Sequence, residues 1–262
     1  MKININHETR YSYDTPTKRS IQLLRVTPQS FNGQQILSWR LTLPRLGSEL
    51  FDGFGNFCTV ISLHEPHEHL LIQASGEVDI DESRNCVEDK RIPPQLFLRD
   101  TELTRCTGQI RALAEMHLAD GVSRAALEKY SADILLRMPY TQGSTGVATS
   151  ASDAFLLGKG VCQDHTHVFL AGVRALGIPA RYVSGYLYTE SEQHLASHAW
   201  AEAYLDGNWY VFDVSNQIFT PSHHVQIAIG LDYNDAAPVR GIRVGGGPER
   251  MDYHVQVLSD QQ

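Results

Sequence analysis

The chain has 262 residues, of which 42% are hydrophobic and 20% charged, and 30 acidic against 22 basic residues leave a formal net charge of −8. That is the composition of an ordinary globular protein with a sizeable core, in one large or two modest domains. No basic cluster or RNA-binding motif offsets the acidic balance, which excludes a nucleic-acid partner, and no apolar run approaches membrane-spanning length.

The amino-terminal MKININHETRYSY alternates as a strand and has no apolar core of a signal peptide, so cytoplasmic residence is the expectation. Ile3, Ile5, Tyr11 and Tyr13 set the first alternation, Leu37, Trp39, Leu41 and Leu43 the next, then Phe57, Thr59, Ile61 and Leu63, with turns at Gly53, Gly55 and Asn56. This predicts a β-sandwich-like domain over residues 1–95, closed by a linker at Arg91-Ile92-Pro93-Pro94.

Residues 96–262 are expected to form an α+β domain with helices packed on an antiparallel sheet. Helices are predicted over about 101–118 and 123–136, the second starting at Ser123, and a short one is capped by Ser150 and ends near Gly158. Another helix is read from Val161, Val168, Phe169, Val173 and Leu176, which recur near a 3.6 period, and Gly177 and Pro179 end it. Strands are predicted at 180–188, 198–205, 209–214, 224–230 and 252–258.

Cys162 falls in the first turn of its helix, where unpaired backbone N–H groups favour a thiolate. Its own N–H is the natural first oxyanion donor, with flexible Gly158 and Gly160 just ahead. HAWAEAYL and WYVFD read as a hairpin around Asp206-Gly207. If Leu205 faces Asn208, then Tyr204 faces Trp209, Glu202 faces Val211 and Trp200 faces Asp213, placing His198 diagonal to Asp213 on one sheet face. A one-residue slip would separate them. In this register His198 is the base of Cys162, and Asp213 sets its tautomer and supports its charge.

His165 is the alternative base, three residues along the helix from the thiol, and Asp164 is assigned to the helix N-terminus. Tyr140, with Gln142 behind it, is the candidate second oxyanion donor; Gln163 faces substrate or caps local backbone; Trp200 shields the His198–Asp213 contact. His223 and His224 receive no role. Cys162, Asp164, His165 and His167 crowd together, and His194 and His198 are four apart, but strand patterning and the lack of a second thiol pair argue against a metal site, so neither metal nor cofactor is expected. The other cysteines, Cys58, Cys86 and Cys106, show no framework spacing, which suits free thiols in a reducing compartment.

GVCQDHTHVFLAGVRALGIPARYVSGYL and SHAWAEAYLDGNWYVFDVSN resemble the transglutaminase-like superfamily of papain-fold cysteine enzymes. YSYDTPTKRSIQLLRVTPQS with FDGFGN is similar to the β-rich region preceding the bacterial members' core, and AIGLDYNDAAPVRGIRVGG resembles their closing segment. The resemblance implies a papain-like core and a triad carried over onto Cys162, His198 and Asp213. Val214 and Ser215 replace the usual proline and threonine, and Leu231 stands where arginine is common. The expected activity is cysteine-dependent cleavage of a peptide, isopeptide or other amide through an acyl-enzyme, with a peptide, protein or other amide substrate as partner. The alternatives are acyl transfer to an amine and a non-catalytic binding or scaffold role on the same fold.

Overall fold

A computed structural model describes residues 1–189 and 197–259. In chain order the elements are β1 (Lys2–Leu24), β2 (Gln34–Thr42), β3 (Ser48–Phe51), β4 (Phe57–Leu63), β5 (His67–Ile80), α1 (Gly108–Leu118), α2 (Arg124–Arg137), α3 (Ala151–Leu157) and α4 (Cys162–Ala175). They continue as β6 (Ala180–Leu187), β7 (Ser197–Leu205), β8 (Asn208–Phe212), β9 (His224–Gly230), α5 (Tyr233–Ala236), β10 (Val239–Gly245) and β11 (Glu249–Ser259). The result is the expected α+β architecture, a β-rich amino-terminal region and a core of helices on a sheet.

The first sheet is organised by β1. Its first half pairs with β5 and β11, and Ser20–Leu24 pairs with β4 and β10. The register shifts between Ser12 and Thr17, where Pro16 has no N–H for the ladder. Leu24 and Ile61 from one half share a core with Leu70, Ile72 and Ala74 from the other. β5 adds an alternating strand over His67–Ile80 that the sequence expectations lack. Gly76 interrupts it at a bulge in β2, where a Cβ would lie 2.6 Å from the Trp39 ring.

Sheet membership does not follow the division at residue 95, because β10 and β11 lie beyond it and pair with β1. Two side-chain amides then tie the first sheet to the core. Gln34 and Asn56 each donate to and accept from the backbone of β9, at Gln226 and Ile229, with distances of 2.8 to 2.9 Å. These bonds satisfy the outer edge of β9, the last strand of the second sheet. Asn56 is held in place by Asp52, which accepts its N–H and that of Phe54, so the FDGFGN turn is a docking device.

The second sheet has the antiparallel order β8-β7-β6-β9. One face carries Ala199, Ala201 and Ala203 of β7, small enough for α4 to approach closely, and Phe169 of α4 stacks on Phe212 at 5.0 Å. Gly172 extends this economy of volume, since a Cβ there would collide with the Tyr130 hydroxyl of α2. Val183, Trp200, Trp209 and Val211 fill the other face, closed by Val87 and Phe97 from the chain between the two sheets.

Local chemistry sets the helix ends. Ser123 and Ser150 cap α2 and α3, and Gly158 ends α3 in the left-handed region at φ 67°. The helix expected from 101 starts only at Gly108. Thr101 and Thr104 hydroxyls bind each other's backbone in a turn, and Thr107 is the cap. No described helix is long and apolar enough to cross a membrane.

Candidate active site

Cys162 is the first residue of α4 and partly exposed, and its thiol lies near enough to His198 to help raise the pKa of that imidazole. The helix entry is built by Asp164, whose Oδ2 accepts the Val161 N–H at 2.8 Å and the Thr145 hydroxyl at 2.6 Å. A Cβ on Gly160 would sit 2.7 Å from Asp164 Cβ, so glycine is needed there for the carboxylate to fold back over the turn. The expected dipole role of Asp164 thus becomes a direct cap on the residue before the thiol.

The hairpin has the expected register from Leu205↔Asn208 to Ala201↔Phe212. It ends one pair early: Asp213 leaves the ladder, bonds reciprocally with the backbone of Ile218, and never faces Trp200. Its side chain still reaches back, and His198 Nε2 donates to Asp213 Oδ2 at 2.7 Å. That orientation leaves Nδ1 for the thiol. Gly185 lies opposite His198 in β6, and its missing side chain makes room for the Trp200 ring, 2.8 Å from where a Cβ would be.

Two further groups hold Asp213. His224 Nε2 donates to Oδ2 at 3.2 Å, and Asn216 donates to both oxygens, from its side chain at 2.9 Å and its backbone at 3.2 Å. His224 had no assigned role, and the structure corrects this. It is legible only once β6 is known to separate β7 from β9. Trp200 is buried and packs against His224 at 4.6 Å and His198 at 6.1 Å, walling the pair from water on that side.

Burial opposes charge on His198, but the Asp213 carboxylate and its hydrogen bond, with Cys162, raise its pKa well above the usual imidazole range. Burial likewise opposes charge on Asp213, and His198 and His224 overcome it, holding the carboxyl far below the ordinary range. His224 moves the other way: its burial outweighs Asp213, and its pKa is lowered. The shared carboxylate therefore supports one imidazolium, on His198, with a neutral His224 beside it.

His165 is buried with both ring nitrogens engaged elsewhere. Nε2 donates to the Met138 carbonyl at 2.7 Å and Nδ1 accepts from Ser215 at 2.8 Å. The one ring lone pair, on Nδ1, is taken by Ser215, so the alternative base is occupied in tying α4 to the chain after Asp213. Ser215, which departs from the family pattern, is the partner that makes this tie. At the second departure, Leu231, the backbone carbonyl accepts from buried Arg174 at 2.7 Å.

Tyr140 and Gln163 both border a cleft of about 440 Å³ at Cys162. Gln163 donates to the Val147 carbonyl at 3.1 Å, fixing the cleft loop. Tyr140 is 44% exposed, and burial with the nearby Cys162 pushes its pKa up to about 12, so its phenol stays a donor at neutral pH. Burial raises the pKa of Cys58 and of Cys106.

Among the described residues, His198, Asp213 and His224 offer three ligand atoms within 4.8 Å of one another. This donor set suits a zinc-type ion, but the same atoms already satisfy each other as hydrogen-bond partners. The His194 of the metal reading lies outside the described residues.

Residues 3–79 match the family model of the bacterial transglutaminase-like N-terminal region, and residues 110–214 that of the transglutaminase-like superfamily. The fold is similar to that of a putative cysteine protease from Cytophaga hutchinsonii, with TM-score 0.82 and 25% identity over 100% of this chain and 91% of that one. An uncharacterized Mycobacterium leprae protein, ML0607, is 28% identical over 98% of both chains. The uncharacterized Rv2569c of Mycobacterium tuberculosis is 27% identical over 92% of this chain and 87% of its own. The chain belongs to the transglutaminase-like superfamily and carries the bacterial transglutaminase-like region ahead of its core.

Proposed function

We propose that this protein is a cysteine-dependent amidase that cleaves a peptide, isopeptide or other carboxamide through an acyl-enzyme, using Cys162, His198 and Asp213. The observation that carries this reading is His198, held by Asp213 at 2.7 Å and lying beside a thiol at a helix N-terminus that borders a cleft.

The Cys162 thiolate attacks the amide carbon, forming the C–S bond as the carbonyl π electrons move to oxygen. The Cys162 N–H is one donor to that oxyanion and Tyr140 the candidate second. His198 protonates the leaving nitrogen as the C–N bond breaks, leaving a thioester and a neutral imidazole. The imidazole then takes a proton from water, whose oxygen attacks the thioester; the acid departs and the thiolate–imidazolium pair is restored. Asp213 keeps Nε2–H toward itself throughout, and His224 and Asn216 keep Asp213 in place. Trp200 excludes water behind the pair.

Hydrolysis is preferred over acyl transfer because water needs no binding site of its own. Four unpaired thiols suit a reducing compartment, and we place the protein in the cytoplasm on that ground. The test is alkylation with mass mapping, then turnover of a peptide and amide library with and without added amines. Cys162 should label faster than Cys58, Cys86 and Cys106. Equal labelling, or hydrolysis undiminished in Cys162→Ala, refutes the mechanism; amide products formed with the amine select transfer instead.

A further inference from the structure

We propose that the face of β1 and β11 turned toward Cys162 is a recognition wall for an uncharged apolar or aromatic segment of the substrate. This deepens the amidase reading and rests on it for the identity of the bound molecule as an amide.

The cleft has two sides of different origin. Cys162, Gln163 and the loop from Tyr140 to Val147 belong to the core, whereas Thr9, Tyr11, Met251 and Tyr253 belong to the first sheet. Tyr11 pairs with Met251 and Thr9 with Tyr253, so four side chains stand on one sheet face as two cross-strand pairs. The next pair inward, His7 and Val255, is buried and anchors that face.

Large apolar side chains are exposed around this cavity from both sides: Met251 at 51%, Tyr253 at 48%, Tyr140 at 44% and Val147 at 62%. Exposed apolar groups gathered at a concave site mark a binding surface, and methionine and tyrosine fit partners of varied shape. Charge is missing from the wall. Among the described residues that line the cleft there is no Asp, Glu, Lys or Arg. His7 adds none, since its nitrogens are held by the Tyr186 and Thr9 hydroxyls and burial lowers its pKa to about 4. A charged substrate group here would lose water without gaining a counter-charge.

The experiment uses the full chain as Cys162→Ser, so that binding is read without chemistry. N-acetyl peptide amides with Leu, Phe, Asp or Lys at each position in turn are titrated by calorimetry. Leu and Phe peptides should bind about tenfold or more tighter than Asp and Lys peptides at one position at least. Met251→Ser with Tyr253→Ser should remove that preference, and Tyr253→Lys should turn it toward Asp. Thermal unfolding checks that each variant folds.

Equal binding of all four peptides, a Lys preference from cation–π contact, no binding at millimolar peptide, or a preference that survives both variants would overturn the wall. Turnover of the Leu and Phe peptides by the unaltered protein is measured separately. Selective binding without turnover refutes the amidase and keeps the wall; turnover without selectivity does the reverse.

Discussion

Two buried charge clusters occupy opposite ends of one face of the second sheet. Arg181 faces Glu202 across β6 and β7, Val183 faces Trp200 in the next such pair, and Gly185 faces His198 beyond it. At the first end Arg181 bonds Asp89 and Glu202 at 2.7 Å, all three are nearly inaccessible, and the guanidinium lies over Trp209 at 4.4 Å. Every charge there has a permanent partner. At the other end His198 is held by Asp213 and lies beside a thiol that borders a cleft. Desolvation is high at both ends, but only the second keeps a partner that can leave to react. Trp200 separates them, with its Nε1 toward Glu202 at 3.4 Å and its ring toward His198. The same sheet face thus yields a staple where the ion network is closed and a candidate reaction centre where it is open.

The sharpest break of this comparison is Cys162→Ala, which should lower turnover by about 10⁴-fold or more while leaving the unfolding midpoint nearly unchanged. Asp213→Asn comes next, with kcat falling about 10³- to 10⁴-fold and KM changing little. It should also bring the His198 imidazole titration, followed by NMR, back toward about 6.5. The raised His198 pKa contributes stability that is fully present below about 6.5 and declines as pH rises toward the folded value. The depressed Asp213 pKa contributes stability present above about 3.9 and lost as pH falls toward its folded value. The stability gap between the native chain and Asp213→Asn, read by denaturant titration, should therefore shrink in both acid and alkali.

Glu202→Ala tests the closed end. Leaving Arg181 with one carboxylate fewer should cost about 3–5 kcal/mol in unfolding free energy, with kcat near the native value well below the transition. A large kcat loss without destabilisation would show that the two ends are not separable. The smallest effect belongs to His224→Gln, which keeps a donor toward Asp213 and should lower kcat by about tenfold, with His224→Leu worse than Gln. Identical kcat in native, Gln and Leu forms would remove His224 from the site.

Much of the candidate site was legible because its parts are local. The thiol sits at a helix start announced by two glycines, and the Asp206-Gly207 turn sets a register from which His198 and Asp213 share a face. The end of the hairpin was misjudged by one pair because Asp213 bonds instead to Ile218, a choice made by the following turn rather than by strand alternation. His224 and Asn216 were missed for related reasons: one arrives from a strand two places away in the sheet, the other from a turn with no periodicity. The helix proposed from 101 began late because threonine hydroxyls competed for the backbone over one turn.

By itself the sequence determined where α2, α3 and α4 begin, which hairpin forms and which thiol stands at a helix N-terminus, since capping, turn chemistry and side-chain alternation act over a few residues. Tertiary structure alone decided that β10 and β11 return to β1, that Gln34 and Asn56 clamp β9, and that Met251 and Tyr253 face Cys162. Those contacts join residues far apart in the chain, and their partners are selected by which sheet edges and buried surfaces remain unsatisfied after the local elements have formed. The backbone pairing of β1 with β11 is what brings an uncharged wall to the thiol.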